Sequence, residues 1–360
     1  MKILFGVQAT GNGHITRARA MAPALEKLGV EVQYLFSGRK PSELFDMEPF
    51  GDYISKEGLT FFSRKGRVQL GDTLLRNNMY RLTQDVKELD IEQFDLVVTD
   101  FEPITAWAGK LAYKKVVGLG HQYAFYHPIP QVRGTIVDQF ILQNFAPADV
   151  SAGLHWYHFD CPIMPPIAPV ETEAYRPVPG RIMVYLPFES RADITKLLRR
   201  FKDTEFVLYH PKAADYQKKN LRWNKPSRTG FQRDLLTCEG VICNAGFELA
   251  SEALQLGMKV LVKPMDGQPE QQSNALALEQ LGYGRGMSRL DPDTVELWLN
   301  SPSGQKIVYP NTAEAIAEWI ADGAKRDVAE ISRELWAQAL LPDISEPGIP
   351  PVNRSPSPLD

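Results

Sequence analysis

Cysteine is scarce in this chain of 360 residues: three in all, Cys161, Cys238 and Cys243, without metal-ligand spacing. A sparse, odd count argues against a disulfide framework and for a reducing, cytoplasmic setting. Apolar runs of about eighteen residues are missing, so no transmembrane helix is expected; peripheral membrane contact stays open. A basic excess is missing too. The formal net charge is −4, which argues against a nucleic-acid partner. The opening MKILFGVQAT has no small-residue cleavage site and reads directly as a strand, so no signal peptide is expected. What remains is globular: 44% hydrophobic and 23% charged residues, in a chain long enough for two full cores.

The first half opens as a βαβ unit. Lys2 to Gln8 is an apolar strand, and Gly11, Asn12, Gly13 and His14 turn it into an amphipathic helix from Ile15 to Leu28. Val30 to Phe36 is the second strand. Two glycines of a dinucleotide fingerprint are present, but Thr16 stands at the third position. Ser37, Gly38, Arg39 and Lys40 follow the second strand, so an NADP enzyme is a rival reading. His14 sits at the helix start, where the macrodipole disfavours the imidazolium and keeps a neutral base. A plain capping histidine is the alternative. Phe94 to Thr99 is another buried strand, ending in Asp100, Phe101, Glu102 and Pro103. In a parallel sheet Asp100 shares an edge with His14 and could orient its imidazole. It could equally cap the next helix, with Glu102 as the fallback partner. His121 to His127 is an aromatic and polar cluster that suits either a cleft wall or a buried loop. Leu154 to Phe159 reads as a strand.

Six prolines lie between Cys161 and Pro179, marking a boundary. The expected domains are 1–165 and 181–340, joined by a linker at 166–180. The Pro- and Ser-rich tail 341–360 reads as disordered. After the linker the βαβ pattern restarts, with Ile182 to Leu186 and Phe206 to Tyr209 as strands. The fold class is therefore α/β, two Rossmann-like doubly wound domains. Arg191, in the first turn of the second domain, is expected at the cleft, where it could neutralise phosphate.

The densest signal runs from Cys243 to Asn274. A buried strand ends at Cys243, and Asn244, Ala245 and Gly246 turn the chain. A helix follows with Leu249, Ala250, Ala253 and Leu254 inward, and Gly257 stops it. Gly246 lets backbone amides approach a diphosphate at the helix N-terminus without a metal. Ser251 and Glu252 lie one turn further, where a carboxylate can accept two ribose hydroxyls. A second strand then leads to a loop carrying Glu270, Gln271 and Asn274, whose carboxylate and amides suit sugar hydroxyls.

The pattern Gly246, Phe247, Ser251, Glu252, then Pro264, Glu270, Gln271 and Asn274 resembles the nucleotide-sugar signature of GT-B glycosyltransferases. It is similar to the peptidoglycan lipid-linked N-acetylglucosaminyltransferase and to the UDP-glycosyltransferases. The resemblance implies two domains facing a cleft, and no cofactor or metal. It implies inverting transfer of a hexosyl group from a UDP-linked donor to an acceptor hydroxyl. His14 would be the base and Asp100 its partner. Glu252 would hold the ribose, and Glu270 and Gln271 the sugar. Asn244 stands where the family has a histidine, and Phe231 where it contacts the base. Glu248, beside the diphosphate, departs from the pattern. A nucleotide-sugar epimerase and a non-catalytic nucleotide-sugar-binding protein are the alternatives. The acceptor is unspecified: a small molecule, a lipid-linked group or a glycan.

Overall fold

The structure, a computed structural model, describes residues 1–59, 63–64, 67–68, 79–132 and 134–342. The expected tail beyond Pro342 and much of the stretch between Pro41 and Asn78 lie outside the described residues.

The first sheet holds six parallel strands. They are β1 (Lys2–Gln8), β2 (Glu31–Ser37), β3 (Ile54–Lys56), β6 (Leu96–Asp100), β7 (Val116–Gly120) and β8 (Val150–Gly153). A short hairpin, β4 (Ser63–Arg64) and β5 (Arg67–Val68), stands apart. The order is β3-β2-β1-β6-β7-β8. The chain leaves β1 to one side for β2 and later returns to the other for β6, so a switch point opens beside the carboxyl ends of β1 and β6. Buried on both faces, these strands read as continuous apolar runs; Ile3 to Gln8 are all buried. Around them lie α1 (Asn12–Lys27), α2 (Met79–Glu88), α3 (Pro103–Leu111) and α4 (Ile136–Asn144).

The second sheet has seven strands: β9 (Val178–Tyr185), β10 (Glu205–Tyr209), β11 (Tyr216–Lys218), β12 (Leu221–Asn224), β13 (Cys238–Cys243), β14 (Lys259–Val262) and β15 (Arg285–Gly286). Their order is β11-β12-β10-β9-β13-β14-β15, with only the edge strand β11 antiparallel. Its switch point lies between β9 and β13. The helices are α5 (Arg191–Leu198), α6 (Arg228–Leu235), α7 (Phe247–Leu256), α8 (Pro269–Gln280) and α9 (Pro292–Leu299). Gly257 ends α7 at φ 73°, the left-handed cap its lack of a Cβ permits.

The chain then crosses back. Helix α10 (Thr312–Ala321) packs on α1, and Lys115 donates to the carbonyl oxygens of Gly323 (2.9 Å) and Ala324 (2.6 Å). From α11 (Val328–Trp336), Ser332 and Trp336 both donate to the Ile163 carbonyl.

Three elements differ from expectation. β9 begins at Val178, inside the expected linker. The strand expected at Leu154 to Phe159 is absent; β8 ends at Gly153 and Leu154 makes a single bridge to Met164. Phe159 and Asp160 are left-handed (φ 48° and 56°), which no strand permits. The stretch carrying Glu270, Gln271 and Asn274 is the start of α8, because Pro269 at the first helical position has φ preset and no donor to waste.

Candidate active site

A cleft of about 1540 Å³ separates the two sheets and is lined from both switch points. Gly11, Asn12, Gly13 and His14 face it from one side. Tyr185, Phe231, Asn244, Gly246, Phe247, Glu248, Glu252, Glu270 and Gln271 face it from the other.

His14 lies in the first turn of α1, and its Nδ1 is 2.7 Å from Asp100 Oδ1. With Nδ1–H donating to the carboxylate, Nε2 becomes the free lone pair, and it has no partner among the described residues. Burial pushes the imidazole toward the neutral form, but the Asp100 charge and hydrogen bond outweigh it, so its proton affinity is raised. This corrects the expectation of a ring kept neutral by the helix dipole: a carboxylate in contact outweighs a dipole effect of about 0.3–2 kcal/mol.

Sequence reasoning missed Arg17. It is 1% exposed, one turn beyond His14, and its fork embraces Asp100. Nε lies 2.8 Å from Oδ2 and Nη2 2.7 Å from Oδ1. Its remaining arm, Nη1, pairs with Glu248 of α7 on the opposite sheet. Burial would lift the Asp100 carboxyl, yet Arg17 and His14 hold it below the usual carboxylate range. Glu248, expected to repel a diphosphate, is thus turned toward Arg17. A Cβ at Gly13 would meet the Glu248 carboxylate, which would have to shift. The turn of Gly11, Asn12 and Gly13, expected at the acceptor or at phosphate, lines the cleft with this acid beside it. Asn12 is also committed, accepting from Arg39 Nη1 at 2.9 Å.

The two roles that competed for Asp100 fall to two carboxylates. Phe101 is left-handed (φ 51°), which turns the chain sharply between them. Asp100 takes His14. Glu102 caps α3, accepting from the backbone of Ile104 (2.9 Å) and Thr105 (2.7 Å) and from Ser37 Oγ (2.7 Å).

On the opposite wall, Glu252 is 8% exposed and makes no hydrogen bond among the described residues. Burial, then the charge of Glu248, pushes its carboxyl up to about 8, against a partial pull from Arg228. It shares a cleft with His14 rather than facing bulk solvent. Glu270 lines the same space and accepts from Gln122 Nε2 at 3.2 Å. Gln271 Oε1 is spent on the Met265 amide (2.9 Å), leaving its NH2 group. Phe231 packs edge-on to Tyr185 and Tyr209 at the cleft.

Two expected donor contacts, Ser251 and Arg191, are corrected, and two residues of the cleft wall, Phe247 and Asn244, are partly committed within the protein. Ser251 is fully buried, accepting from Trp156 Nε1 (2.9 Å) and donating to the Phe247 carbonyl (2.8 Å); it does not line the cleft. Phe247 stacks on His121, with centroids 4.1 Å apart and planes 6° off parallel, so its ring joins the lobes. His121 in turn faces Asn274 Oδ1 at 2.6 Å across the same seam. Asn244 donates to the Lys263 carbonyl (2.8 Å), and its Oδ1 is buried with no hydrogen-bond partner among the described residues. Arg191 is away from the cleft, bound to the Lys212 carbonyl and lying over Trp223, because the first turn of α5 carries it to the sheet edge.

Arg228, at the start of α6, occupies the cleft instead; it is half-buried and has no hydrogen bond or ion pair among the described residues. Burial, then the charge of Arg228, lowers Arg19 of the opposite lobe. Two guanidiniums set against each other across a cleft make a place for an anion. Among the described residues no group of three or more His, Cys, Asp or Glu is placed to hold a metal, and no helix is long and apolar enough to cross a membrane.

Two doubly wound sheets with their switch points opposed across a cleft define the GT-B class of glycosyltransferase. The sequence profile of glycosyl transferase family 1 matches residues 1–301, and the chain belongs to that family. It is an enzyme that transfers glycosyl groups, which sets aside the dinucleotide reading. Solved structures share the fold. The glycosyltransferase SnogD from Streptomyces nogalater is 18% identical, with a TM-score of 0.52 over 94% of this chain and 99% of that one. The spinosyn rhamnosyltransferase SpnG complexed with thymidine diphosphate is 17% identical, with a TM-score of 0.57 over 93% and 100%. The calicheamicin glycosyltransferase CalG4 is 15% identical, with a TM-score of 0.54 over 93% and 94%. No curated protein matches the chain.

Proposed function

We propose that this enzyme moves a sugar from a UDP-linked donor onto an acceptor hydroxyl with inversion, His14 acting as base. The observation that carries the reading is His14 Nε2, facing the cleft and backed by Asp100, opposite a buried carboxylate, Glu252, that has no hydrogen-bond partner among the described residues. The second sheet with α5–α9 forms the donor lobe, and the first sheet with α1–α4 and the returning α10 and α11 forms the acceptor lobe. Glu252 accepts the ribose hydroxyls, and Glu270 with the Gln271 amide holds the sugar. Phe231 offers a ring edge to the base. The diphosphate lies at the α7 N-terminus, where first-turn amides are unpaired within the helix, and Arg228 supplies the cation assigned at first to Arg191. The acceptor oxygen gives its proton to Nε2 and attacks the anomeric carbon from the face opposite the leaving diphosphate. One displacement inverts that centre.

The acceptor side is lined by Phe45, Phe101, Phe125, Tyr126 and Leu142, which suits a hydroxyl on an apolar body. A cytoplasmic setting fits three free cysteines. SpnG and the glycosyltransferase VinC were solved with thymidine diphosphates, so the dTDP-linked donor is the competitor to test. A deoxyribose offers Glu252 one hydroxyl where ribose offers two, so UDP binds more tightly on this reading.

The experiment compares wild type with His14→Ala, using UDP-glucose and dTDP-glucose in turn. Release of nucleotide falls about 10²–10⁴-fold in the variant while UDP binding persists. Full turnover by His14→Ala overturns the assignment of the base.

A further inference from the structure

We propose that Arg17 is a positioning residue that ties the His14–Asp100 pair to helix α7 of the donor lobe through Glu248, so that the base is set in order as the cleft closes. The inference rests on the reading of His14 given above.

The geometry is specific. One guanidinium spends two arms on the two oxygens of Asp100 and its third on Glu248. A planar fork can do this; an ammonium cannot. Arg17 and Asp100 are 1% and 0% exposed, whereas the Glu248 side chain is 18% exposed. The buried half of the network is therefore fixed within the acceptor lobe, and the partly wet half is the joint between lobes. Gly13 keeps the space through which Glu248 reaches Arg17. The joint has neighbours of the same kind: His121 to Asn274, Gln122 to Glu270, and the Val132 amide to Ser273 Oγ at 2.9 Å.

The charges act in a definite sense. Asp100 from β6 and Glu248 from α7 favour the protonated imidazole, and Arg17 from α1 opposes it. Glu270 from α8 acts on Arg17, and Gln122 brings no charge. Docking of Glu248 therefore strengthens His14 as a proton acceptor at the moment the donor helix arrives. It also draws an acid away from the end of α7, where it would oppose a diphosphate.

The test is an NMR titration of the His14 ring in wild type, Glu248→Gln and Arg17→Lys, read beside the pH profile of kcat/KM for UDP-glucose hydrolysis. Glu248→Gln alters a partly exposed side chain and leaves the fold intact. It moves the His14 midpoint to lower pH, and the acidic limb of kcat/KM follows. Arg17→Lys retains the charge, loses the fork and lowers kcat about tenfold or more, with little change in KM. An unmoved His14 midpoint in Glu248→Gln overturns the proposal whatever His14→Ala does. A moved midpoint with an unmoved acidic limb upholds the tie and removes His14 as the base.

Discussion

Replacing Glu252 with glutamine isolates the ribose contact from everything else in the cleft. The carboxyl is pushed up to about 8, so at pH 7 roughly nine in ten molecules hold it protonated. Two ribose hydroxyls can both donate only to an ionised carboxylate, which is acceptor-only. Binding of UDP must then expel that proton, close to one per nucleotide at pH 7. Calorimetry in buffers of different ionisation enthalpy counts it directly. Between pH 6 and 7.5 the wild-type affinity rises by about tenfold per pH unit. Glu252→Gln shows neither effect beyond what the nucleotide phosphate contributes, and it binds UDP about 2–4 kcal/mol more weakly. The unliganded protein gives a second check. A carboxyl raised from its ordinary 4.5 to about 8 stabilises the fold fully below pH 4.5, and that stability drains away as pH climbs through 8. Wild type therefore loses ground to Glu252→Gln across that window, by at most about 5 kcal/mol. Equal proton release by the two proteins, or equal affinity for UDP, refutes the ribose assignment.

Three further outcomes follow from the site. Asp100→Asn keeps the shape beside His14 but loses the charge that fixes its tautomer; kcat drops about 10²–10⁴-fold with UDP affinity preserved, read by steady-state kinetics. Arg228→Ala weakens UDP binding by about 1.5–3 kcal/mol, whereas Arg191→Ala leaves it unchanged; a titration of both variants separates the two arginines. Glu102→Ala strips the cap from α3 and takes from Ser37 its shorter hydrogen bond, costing about 2–4 kcal/mol in a urea melt.

Most of the scaffold was legible because a doubly wound sheet writes its strands as apolar runs closed by turn residues. β1 spans the residues expected of it, β2, β6 and β10 each fall within two of theirs, and β13 ends at Cys243 as expected. The placement of Glu252, Glu270 and Phe231 on one cleft with His14 was legible for the same reason: carboxyl strand ends share an edge. Other parts were hidden by the chemistry of single side chains. Arg17 reads as surface charge, although it shares the inward stripe of Met21 and Ala24; a charge on an apolar stripe was the available signal. Ser251 and Asn244 carry the right atoms but spend them on Trp156 and Lys263, which no spacing rule reveals. Arg191 and Arg228 each open a helix, and only the packing of α5 and α6 decides which one enters the cleft. Glu102 was distinguished from Asp100 by one left-handed residue between them.

The return of the last two helices to the first lobe has a mechanical consequence. The polypeptide passes between the halves once ahead of β9 and again ahead of α10, so they are tied by two straps. Such a pair of straps allows rotation about the line that joins them and resists sliding. A donor half cut free at residue 181 would carry α10 and α11 with their greasy sides bare, and it would aggregate sooner than bind nucleotide.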